Sequence, residues 1–373
     1  MHVMMVVNDT TFAYNLRREL LDQLVRKGHE VSVLCQVRSF REELEAMGVR
    51  LIHVNNNRRG TNPLADLKLF ATYYKHLKKE RPDLILGNNI KPNVYAGLAC
   101  RLLRIPRICN ITGLGTALEQ PGLLQKITTL LYKLGTWNAE CILFQNRENE
   151  EFFRKHKMLS PRSRVVLLPG SGVNVETHPA FPYPETEETN FLFIARILKE
   201  KGIDLYLSAA KEIRRRYPNT RFHICGLCDD ASYLETLKKA EADGDVIYHG
   251  EQKNMDAFFR MAHCVVHPSY YPEGMSNVLL EAGASARPAI ATDRSGCRET
   301  VDDGISGFVI PIKDEQALID AIDRFMGMSW EAKRDMGLAG RKKVEKEFDR
   351  KIVVNMVIDE VNRCGDVNKR VAR

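Results

Sequence analysis

Short apolar, β-rich runs alternate with amphipathic helical segments along this chain, and this order limits the folds that it can adopt. In the first half the runs lie at residues 1–7, 31–35, 49–54, 83–86, 107–111, 141–145 and 165–168. The amphipathic segments include 14–27, which Gly28 closes, and 63–80, which opens with a proline. Strands that alternate with helices predict a parallel, doubly wound sheet with right-handed crossovers.

The alternation stops over residues 169–189, where prolines, glycines and acidic residues accumulate, and then starts again. The second series of apolar runs lies at residues 190–195, 221–225, 246–249, 264–267, 289–291 and 308–310. A chain of 373 residues also exceeds the size at which one core usually stops growing. We therefore predict an α/β chain of two Rossmann-like, doubly wound parallel-sheet domains that face each other across a cleft. The predicted parts are a first domain over 1–172, a linker over 173–189, a second domain over 190–345, and a C-terminal helix over 346–373 that folds back towards the first domain.

The composition favours a globular protein of a reducing compartment. Hydrophobic residues make up 44% of the chain and charged residues 28%, and charges such as Lys126 and Lys133 interrupt every apolar run before it could span a bilayer. The nine cysteines are an odd number scattered through predicted strands and helices, which favours free thiols over a disulfide framework. We expect a cytoplasmic location.

The positive charge is concentrated in the first half of the chain. Residues 1–170 carry 26 Lys and Arg against 15 Asp and Glu, a net charge of +11, whereas the remaining residues carry 29 against 33, a net charge of −4. This asymmetry fits an anionic partner, either an acidic membrane leaflet or a nucleic acid, or a solvated basic face without a partner. No nucleic-acid recognition motif accompanies the charge, so we expect no nucleic-acid partner.

The segment 267–282 has the strongest signature of a ligand site. An apolar strand ends at a proline-rich turn and is followed by a helix predicted from Asn277, which places residues 274–277 at a helix N-terminus, where exposed N–H groups suit a phosphate. Glu273 precedes this helix and Glu281 lies inside it. Carboxylates accept hydrogen bonds from sugar hydroxyls, so one could hold a hexose and the other a ribose. By their spacing alone, the two could also be solvated surface residues.

A second cluster follows the apolar run 191–195. Arg196 and Lys201 would project from the carboxyl end of the first strand of the second domain, where cations can neutralise a diphosphate leaving group. Without further context they could be ordinary surface cations.

Two further patterns are weak candidates for metal sites. Asp243 and Asp245 form a D-x-D pattern, but they lie before a predicted strand at a tight turn, whereas a metal site needs carboxylates where a strand ends. Cys225 and Cys228 have C-x-x-C spacing without a second pair. We predict no metal. The dinucleotide-binding and P-loop glycine patterns are also absent, so we predict no cofactor.

The motifs resemble those of the retaining GT-B glycosyltransferases of family four, and the likeness covers nearly the whole chain. The E-x7-E motif of that family matches Glu273 to Glu281, its R-x4-K-G signature matches Arg196 to Gly202, and the run 287–308 is typical of it. This resemblance implies a GT-B fold and a retaining, metal-independent transfer of a hexose or N-acetylhexosamine from a nucleotide sugar. UDP is the preferred carrier, and galactose, GlcNAc or GalNAc the preferred donor sugar.

The resemblance also assigns roles to individual residues. Arg196 and Lys201 would bind the diphosphate, Glu273 the donor sugar and Glu281 the ribose. Backbone amides would help to bind phosphate, those of Gly274, Met275, Ser276 and Asn277.

The first half narrows the subgroup. Segments 91–93, 112–115, 144–146 and 168–173 look like those of enzymes that extend undecaprenyl-diphosphate-linked sugars in bacterial capsule, O-antigen or protein-glycan assembly. By this resemblance the acceptor is a polyprenyl-diphosphate-linked glycan, and the protein is peripheral at the inner face of the cell membrane, on an anionic surface. The candidate acceptor-side residues are Asp9, Lys91, Asn93, Thr112 and Gly113.

The chain departs from the family at two places. Many members carry a histidine in the loop that corresponds to residues 112–115, where this chain has none, so a histidine-assisted mechanism is not expected. A proline that is common after the E-G-x step is Ser276 here. Two other functions stay open: a nucleotide-sugar 2-epimerase, which needs no acceptor, and a non-catalytic, basic membrane-binding protein, which would tolerate loss of Arg196, Lys201 and Glu273.

One helix of the first half has two interpretations. Apolar residues would share one face of a helix flanked by Lys126 and Lys133, and this face could lie on an anionic membrane or pack in the core. These residues are Leu123, Leu124, Ile127, Leu130, Leu131 and Leu134.

Overall fold

A computed structural model describes residues 1–55, 62–115, 118 and 121–371 of the chain. The chain forms two compact units. The first comprises Met1–Ser171 and Arg350–Arg373, and the second Gly172–Asp349.

The first unit is built on a seven-stranded parallel sheet with the strand order β3-β2-β1-β4-β5-β6-β7. Its strands are β1 (His2–Asp9), β2 (Glu30–Gln36), β3 (Arg50–His53), β4 (Leu84–Asn88), β5 (Arg107–Ile111), β6 (Cys141–Phe144) and β7 (Arg164–Leu167). Its helices are α1 (Thr10–Arg26), α2 (Arg41–Ala46), α3 (Pro63–Glu80), α4 (Gly97–Leu103), α5 (Leu123–Thr136) and α6 (Arg147–Lys155). Each predicted strand of this half is confirmed, with small differences at the ends.

The second unit is built on a six-stranded parallel sheet with the order β10-β9-β8-β11-β12-β13. Its strands are β8 (Thr189–Ile194), β9 (Thr220–Cys225), β10 (Ile247–Tyr248), β11 (Cys264–His267), β12 (Ala289–Thr292) and β13 (Gly307–Ile310). Its helices are α7 (Ile203–Arg216), α8 (Ala231–Ala242), α9 (Asp256–Met261), α10 (Asn277–Ala284), α11 (Glu315–Met326) and α12 (Trp330–Lys343). The predicted fold class of two doubly wound parallel-sheet domains is confirmed.

Aromatic side chains fill the core of the second unit. Phe191 of β8 stacks on Phe222 of β9 with ring centroids 4.9 Å apart. The buried hydroxyl of Tyr206 donates to strand carbonyls, those of Phe191 and His223, at 3.0 Å. The pairing satisfies the one polar atom that Tyr206 brings into the core, so α7 is fixed on the sheet without an unpaired hydroxyl.

The C-terminal helix, α13 (Arg350–Val371), belongs to the first unit. Its apolar face shares the core beneath α1 and contributes Val353, Val354, Val357, Ile358 and Val361. Arg350 at its start donates to the carbonyl of Asn15 at 2.9 Å and pairs with Glu19 at 3.1 Å. The helix is thus tied to α1 by apolar packing and by a charged hydrogen bond.

The segment 173–189, for which we predicted a linker, is grouped with the second unit. Buried Arg287, together with Arg341 and Trp330, donates side-chain hydrogen bonds to its backbone. These bonds satisfy carbonyl groups of the proline-rich segment. The accepting carbonyls belong to Val175, His178, Phe181, Pro182 and Pro184.

The apolar face of α5 is exposed at its N-terminal end. Leu123, Leu124, Ile127 and Leu130 are 74%, 55%, 48% and 56% exposed, whereas Leu131 and Leu134 are half-buried. The interpretation that this face packs in the core is therefore wrong for the first four residues. Within the described part of the chain, no helix has the length and apolar character that crossing a membrane requires.

Candidate active site

The turn after β8 is shaped by a glycine. A short 3₁₀-helix, Lys199–Lys201, ends at Gly202, whose φ of +79° lies in the left-handed region. A Cβ at this position would lie 2.2 Å from the carbonyl oxygen of Pro268. Only glycine satisfies both conditions, and its presence lets the turn after β8 lie against the loop after β11.

Hydrogen bonds hold these two loops together. The amide of Tyr270 donates to the carbonyl of Glu200 at 2.9 Å, and the hydroxyl of buried Ser269 donates to the same carbonyl at 3.4 Å. From the neighbouring strand, the hydroxyl of Thr292 donates to the carbonyl of Ser269. Three segments at the carboxyl edge of the second sheet are therefore fixed to one another, which is the edge where ligands bind in open α/β folds.

The result is an ion pair between Lys201 and Glu273. The two side chains are only 12% and 17% exposed, and the Lys201 ammonium lies 5.0 Å from the centre of the Tyr271 ring. Burial, and then the charge of Arg196, lower the pKa of Lys201, to about 8. The nearby Cys297 thiol opposes this effect and raises the pKa of Lys201.

The other two predicted side chains lie on the same elements. Arg196 follows the end of β8 and is half-buried, close enough to act on the charge of Lys201. Glu281 is half-buried in α10, eight residues after Glu273, as the spacing predicted. One carboxylate thus precedes the helix and the other lies within it, with the cations on the neighbouring loop.

The loop before α10 requires one correction. Ser276 immediately precedes the helix, as predicted, but its amide donates to the carbonyl of Gly296 at 2.7 Å. That N–H is engaged within the protein, so it is not among the donors that remain for a phosphate. Gly296 again permits the approach, since a Cβ there would lie 2.7 Å from the carbonyl oxygen of Gly274.

Glu299 is a site-positioning residue to which the motif analysis gave no role. Its carboxylate accepts from the amide of Gly296 at 2.7 Å and from the hydroxyl of Ser295 at 3.1 Å. It thereby holds the loop whose carbonyl binds Ser276. Its position three residues after Gly296 is typical of a carboxylate that accepts from a loop amide, and this spacing could have identified it from the sequence.

Three of the acceptor-side residues have structural roles in the first unit. Asp9 caps α1 by accepting from the amide of Phe12 at 2.9 Å, and Lys91 pairs with Asp66 at 2.8 Å. Asn93 is 1% exposed and donates to the carbonyl of Asn110 at 2.8 Å. The Asn93 side chain is therefore buried in the first unit, and its role at the acceptor stays a prediction.

The remaining two, Thr112 and Gly113, follow the carboxyl end of β5. The hydroxyl of Thr112 accepts from the amide side chain of Asn89 at 3.3 Å. Sequence reasoning missed a buried cation near this edge: Arg17 of α1 donates to Asn88 at the end of β4 at 3.2 Å. Burial, and then Arg350, lower the pKa of Arg17, to about 9.

The weak metal candidates have ordinary environments. Asp243 ends α8 and precedes β10, as predicted for a turn. Cys225 is buried at the end of β9, and the thiol of Cys228 donates to the carbonyl of Asp230 at 3.3 Å. All nine cysteines are free. Among the residues that the structure describes, no group of three or more His, Cys, Asp or Glu side chains could hold a metal ion.

Comparison with known families decides the identity. Residues 175–343, which contain the Lys201–Glu273 pair, match the family model described as glycosyl transferases group 1. Residues 2–146 match the model described as glycosyl transferase 4-like. The chain is a glycosyltransferase whose two halves are similar to these two families.

Several curated proteins resemble this glycosyltransferase over most of its length. The N,N'-diacetylbacillosaminyl-diphospho-undecaprenol alpha-1,3-N-acetylgalactosaminyltransferase of Campylobacter jejuni is 26% identical over 83% of this chain and 85% of its own. The UDP-Gal:alpha-D-GlcNAc-diphosphoundecaprenol alpha-1,3-galactosyltransferase of Escherichia coli is 26% identical over 79% of each chain.

Solved structures support the GT-B fold of this glycosyltransferase. HepE of Anabaena, solved in complex with UDP and glucose, superposes with a TM-score of 0.77 at 16% identity, covering 97% of this chain and 99% of its own. WaaG, a glycosyltransferase involved in lipopolysaccharide biosynthesis, superposes with a TM-score of 0.71 at 16% identity over 96% and 98%. At this level of identity, the similarity supports the fold of this chain alone.

The close approach at Gly202 generates a stability prediction. Gly202→Ala is expected to lower the free energy of unfolding by about 3 kcal/mol, because left-handed strain is added to a clash with the Pro268 carbonyl. Gly244→Ala is the matched control, since Gly244 has a φ of +75° with no atom within 4 Å of an added Cβ. This control is expected to lower the free energy of unfolding, measured by chemical denaturation, by about 1 kcal/mol. Equal losses in the two variants would contradict the close approach.

Proposed function

We propose that this glycosyltransferase transfers a hexose or N-acetylhexosamine, with retention of anomeric configuration and without a metal ion, from a UDP-sugar to a polyprenyl-diphosphate-linked glycan. The observation that carries the proposal is the Lys201–Glu273 ion pair, with Arg196 beside it, at the carboxyl edge of the second sheet. Two cations and a carboxylate match a donor that joins an anionic diphosphate to a neutral, hydroxyl-rich sugar.

The protein's main task in this reaction is to stabilise the leaving group. The acceptor oxygen bonds to the anomeric carbon on the face from which the diphosphate departs, and the anomeric carbon–oxygen bond breaks with its electrons going to the phosphate. The departing phosphate oxygen takes the acceptor's proton, so no separate base is needed. Arg196 and Lys201 then balance the charge that develops on the diphosphate, the role that a metal ion would otherwise fill.

Glu273 and Glu281 orient the donor in this proposal. Glu273 accepts hydrogen bonds from the sugar hydroxyls, and Glu281 from the ribose. Lys201 neutralises the largely buried carboxylate of Glu273. Donor binding gives Lys201 a new anionic partner, the diphosphate, while Glu273 exchanges its cation for hydroxyl donors.

The relatives support the choice of acceptor. The names of the Campylobacter jejuni and Escherichia coli enzymes both specify a sugar linked through diphosphate to undecaprenol. The names specify different sugars, so the chemistry that they share is the lipid diphosphate. We infer the same class of acceptor here, in the assembly of a bacterial polysaccharide or glycoprotein glycan.

We also propose that the first unit docks on an anionic membrane from the cytoplasmic side. The exposed residues Leu123, Leu124, Ile127 and Leu130 form an apolar surface on α5, beside exposed Lys126. Exposed leucines of α3, Leu64 and Leu67, add to the apolar area of this unit. Apolar burial in the headgroup region and attraction to anionic lipids act together, which favours a bilayer over a neutral protein partner.

Acceptor-dependent release of UDP tests the whole proposal. A panel of UDP-sugars is incubated with and without undecaprenyl-diphosphate-linked acceptors, in EDTA, with the wild type and Glu273→Ala. We expect UDP release from one donor, and we expect it to require acceptor, to persist in EDTA and to be lost in Glu273→Ala. The anomeric configuration of the product is expected to be the same as that of the donor sugar. Conversion of a UDP-sugar to its 2-epimer without acceptor would indicate an epimerase, and no reaction with any nucleotide sugar would indicate a non-catalytic protein.

Lys201→Ala is expected to lower turnover by about two orders of magnitude or more, since it removes a cation from the leaving group. Lys199→Ala is the matched control, because Lys199 lies in the same 3₁₀-helix and is exposed. Steady-state kinetics at saturating donor measure the effect. Near-normal turnover of Lys201→Ala would refute the assigned role.

Leu130→Glu is expected to reduce binding to vesicles that contain anionic lipid, because it places a charge in the apolar surface of α5. Leu338→Glu is the control, since Leu338 is an exposed leucine on α12 of the second unit. Vesicle flotation measures the bound fraction, and circular dichroism checks the fold. If both variants float like the wild type, the α5 surface does not bind the membrane.

A further inference from the structure

Ser276 occupies a helix N-cap position without capping the helix. Its φ and ψ of −76° and 104° are the extended values of an N-cap residue, and α10 begins at the next residue. Serine is among the preferred residues there, because its oxygen accepts from an amide of the first turn. In this protein the Ser276 side chain makes no such hydrogen bond.

The hydroxyl of Ser276 instead contacts a buried histidine at the end of β11. The Nε2 atom of His267 lies 3.2 Å from the Oγ atom of Ser276, and both side chains are 1% exposed. Within the described part of the chain, Nδ1 of His267 makes no hydrogen bond, so Ser276 is the partner that orients the ring. Burial, and then the charge of Lys201, lower the pKa of His267, to about 3, which keeps the ring neutral.

Neutral His267 can hold Ser276 in either tautomer. With the proton on Nε2 the ring donates to the hydroxyl oxygen, and with the proton on Nδ1 the hydroxyl donates to Nε2. In both cases the Oγ atom is kept on the side of His267 and away from the first turn of α10. The α10 sequence adds no acidic residue in that turn that could replace the cap.

We propose that His267 is a positioning residue that keeps the Ser276 hydroxyl from capping α10, and so reserves the amides of its first turn for the diphosphate of the donor. The inference rests on the proposed function, and it concerns a pair of side chains to which the motifs give no role. A helix N-terminus binds either its own cap or an external anion with the same N–H groups. A free serine hydroxyl would compete with the ligand at this position.

The competition has a predictable size. An N-cap hydrogen bond of serine is worth about 1 kcal/mol, which corresponds to about a fivefold change in affinity. Release of Ser276 from His267 is therefore expected to weaken nucleoside diphosphate binding by about fivefold. Removal of the hydroxyl from such a variant is expected to restore the affinity, an effect opposite to what added core damage would give.

Calorimetric titration of UDP tests the inference with three variants. His267→Gln retains a side-chain N–H for Ser276 and is expected to bind UDP within about twofold of the wild type. His267→Met has a similar shape without that donor and is expected to bind about fivefold more weakly. His267→Met/Ser276→Ala is expected to recover the affinity of the wild type. Uridine, which lacks phosphate, is expected to show none of these differences.

Two outcomes would overturn the inference: unchanged UDP affinity of His267→Met, or a double variant as weak as His267→Met or weaker. Thermal unfolding checks each variant, and His267→Leu replaces the Met variant if that one is unfolded. Failure of the wild type to bind any nucleoside diphosphate would refute the proposed function instead. Inorganic pyrophosphate, titrated into the same variants, then tests the helix terminus by itself.

Discussion

The close approach of two loops at the carboxyl edge of the second sheet is the constraint on which the candidate site depends. Gly202 removes the Cβ that would meet the Pro268 carbonyl, and the amide of Tyr270 then reaches the carbonyl of Glu200. This backbone contact brings Lys201 to Glu273, residues 72 positions apart in the chain. The ion pair is thus a product of the fold, and the glycine of the R-x4-K-G signature is as necessary to it as the lysine.

Around this contact, neighbouring loops fix the N-terminus of α10. Glu299 holds the amide of Gly296, and the carbonyl of Gly296 holds the amide of Ser276. His267, at the carboxyl end of β11, holds the hydroxyl of Ser276. The helix terminus is therefore positioned by backbone and side-chain bonds that leave its first turn uncapped by Ser276, an arrangement that preorganises amides for an anion.

The sequence predicted what local patterns control. Every predicted strand and the start of α10 at Asn277 are present, because alternating apolar runs and turn residues carry that information along the chain. Contacts between distant residues were not visible in this way. Nothing local shows that Arg287 binds the carbonyls of Phe181 and Pro182, so residues 173–189 were predicted as a linker. For the same reason Asn93 was assigned to an acceptor although its side chain is buried against β5.

The central claim is that Lys201, Arg196, Glu273 and the first turn of α10 form the donor site, and a crystal structure with a bound, non-transferable UDP-sugar analogue tests it most directly. The account predicts the diphosphate in contact with Lys201 and Arg196 and with amides of α10, and the sugar hydroxyls within hydrogen-bond distance of Glu273. A nucleotide bound elsewhere on the second unit, with the Lys201–Glu273 pair still closed, would contradict it.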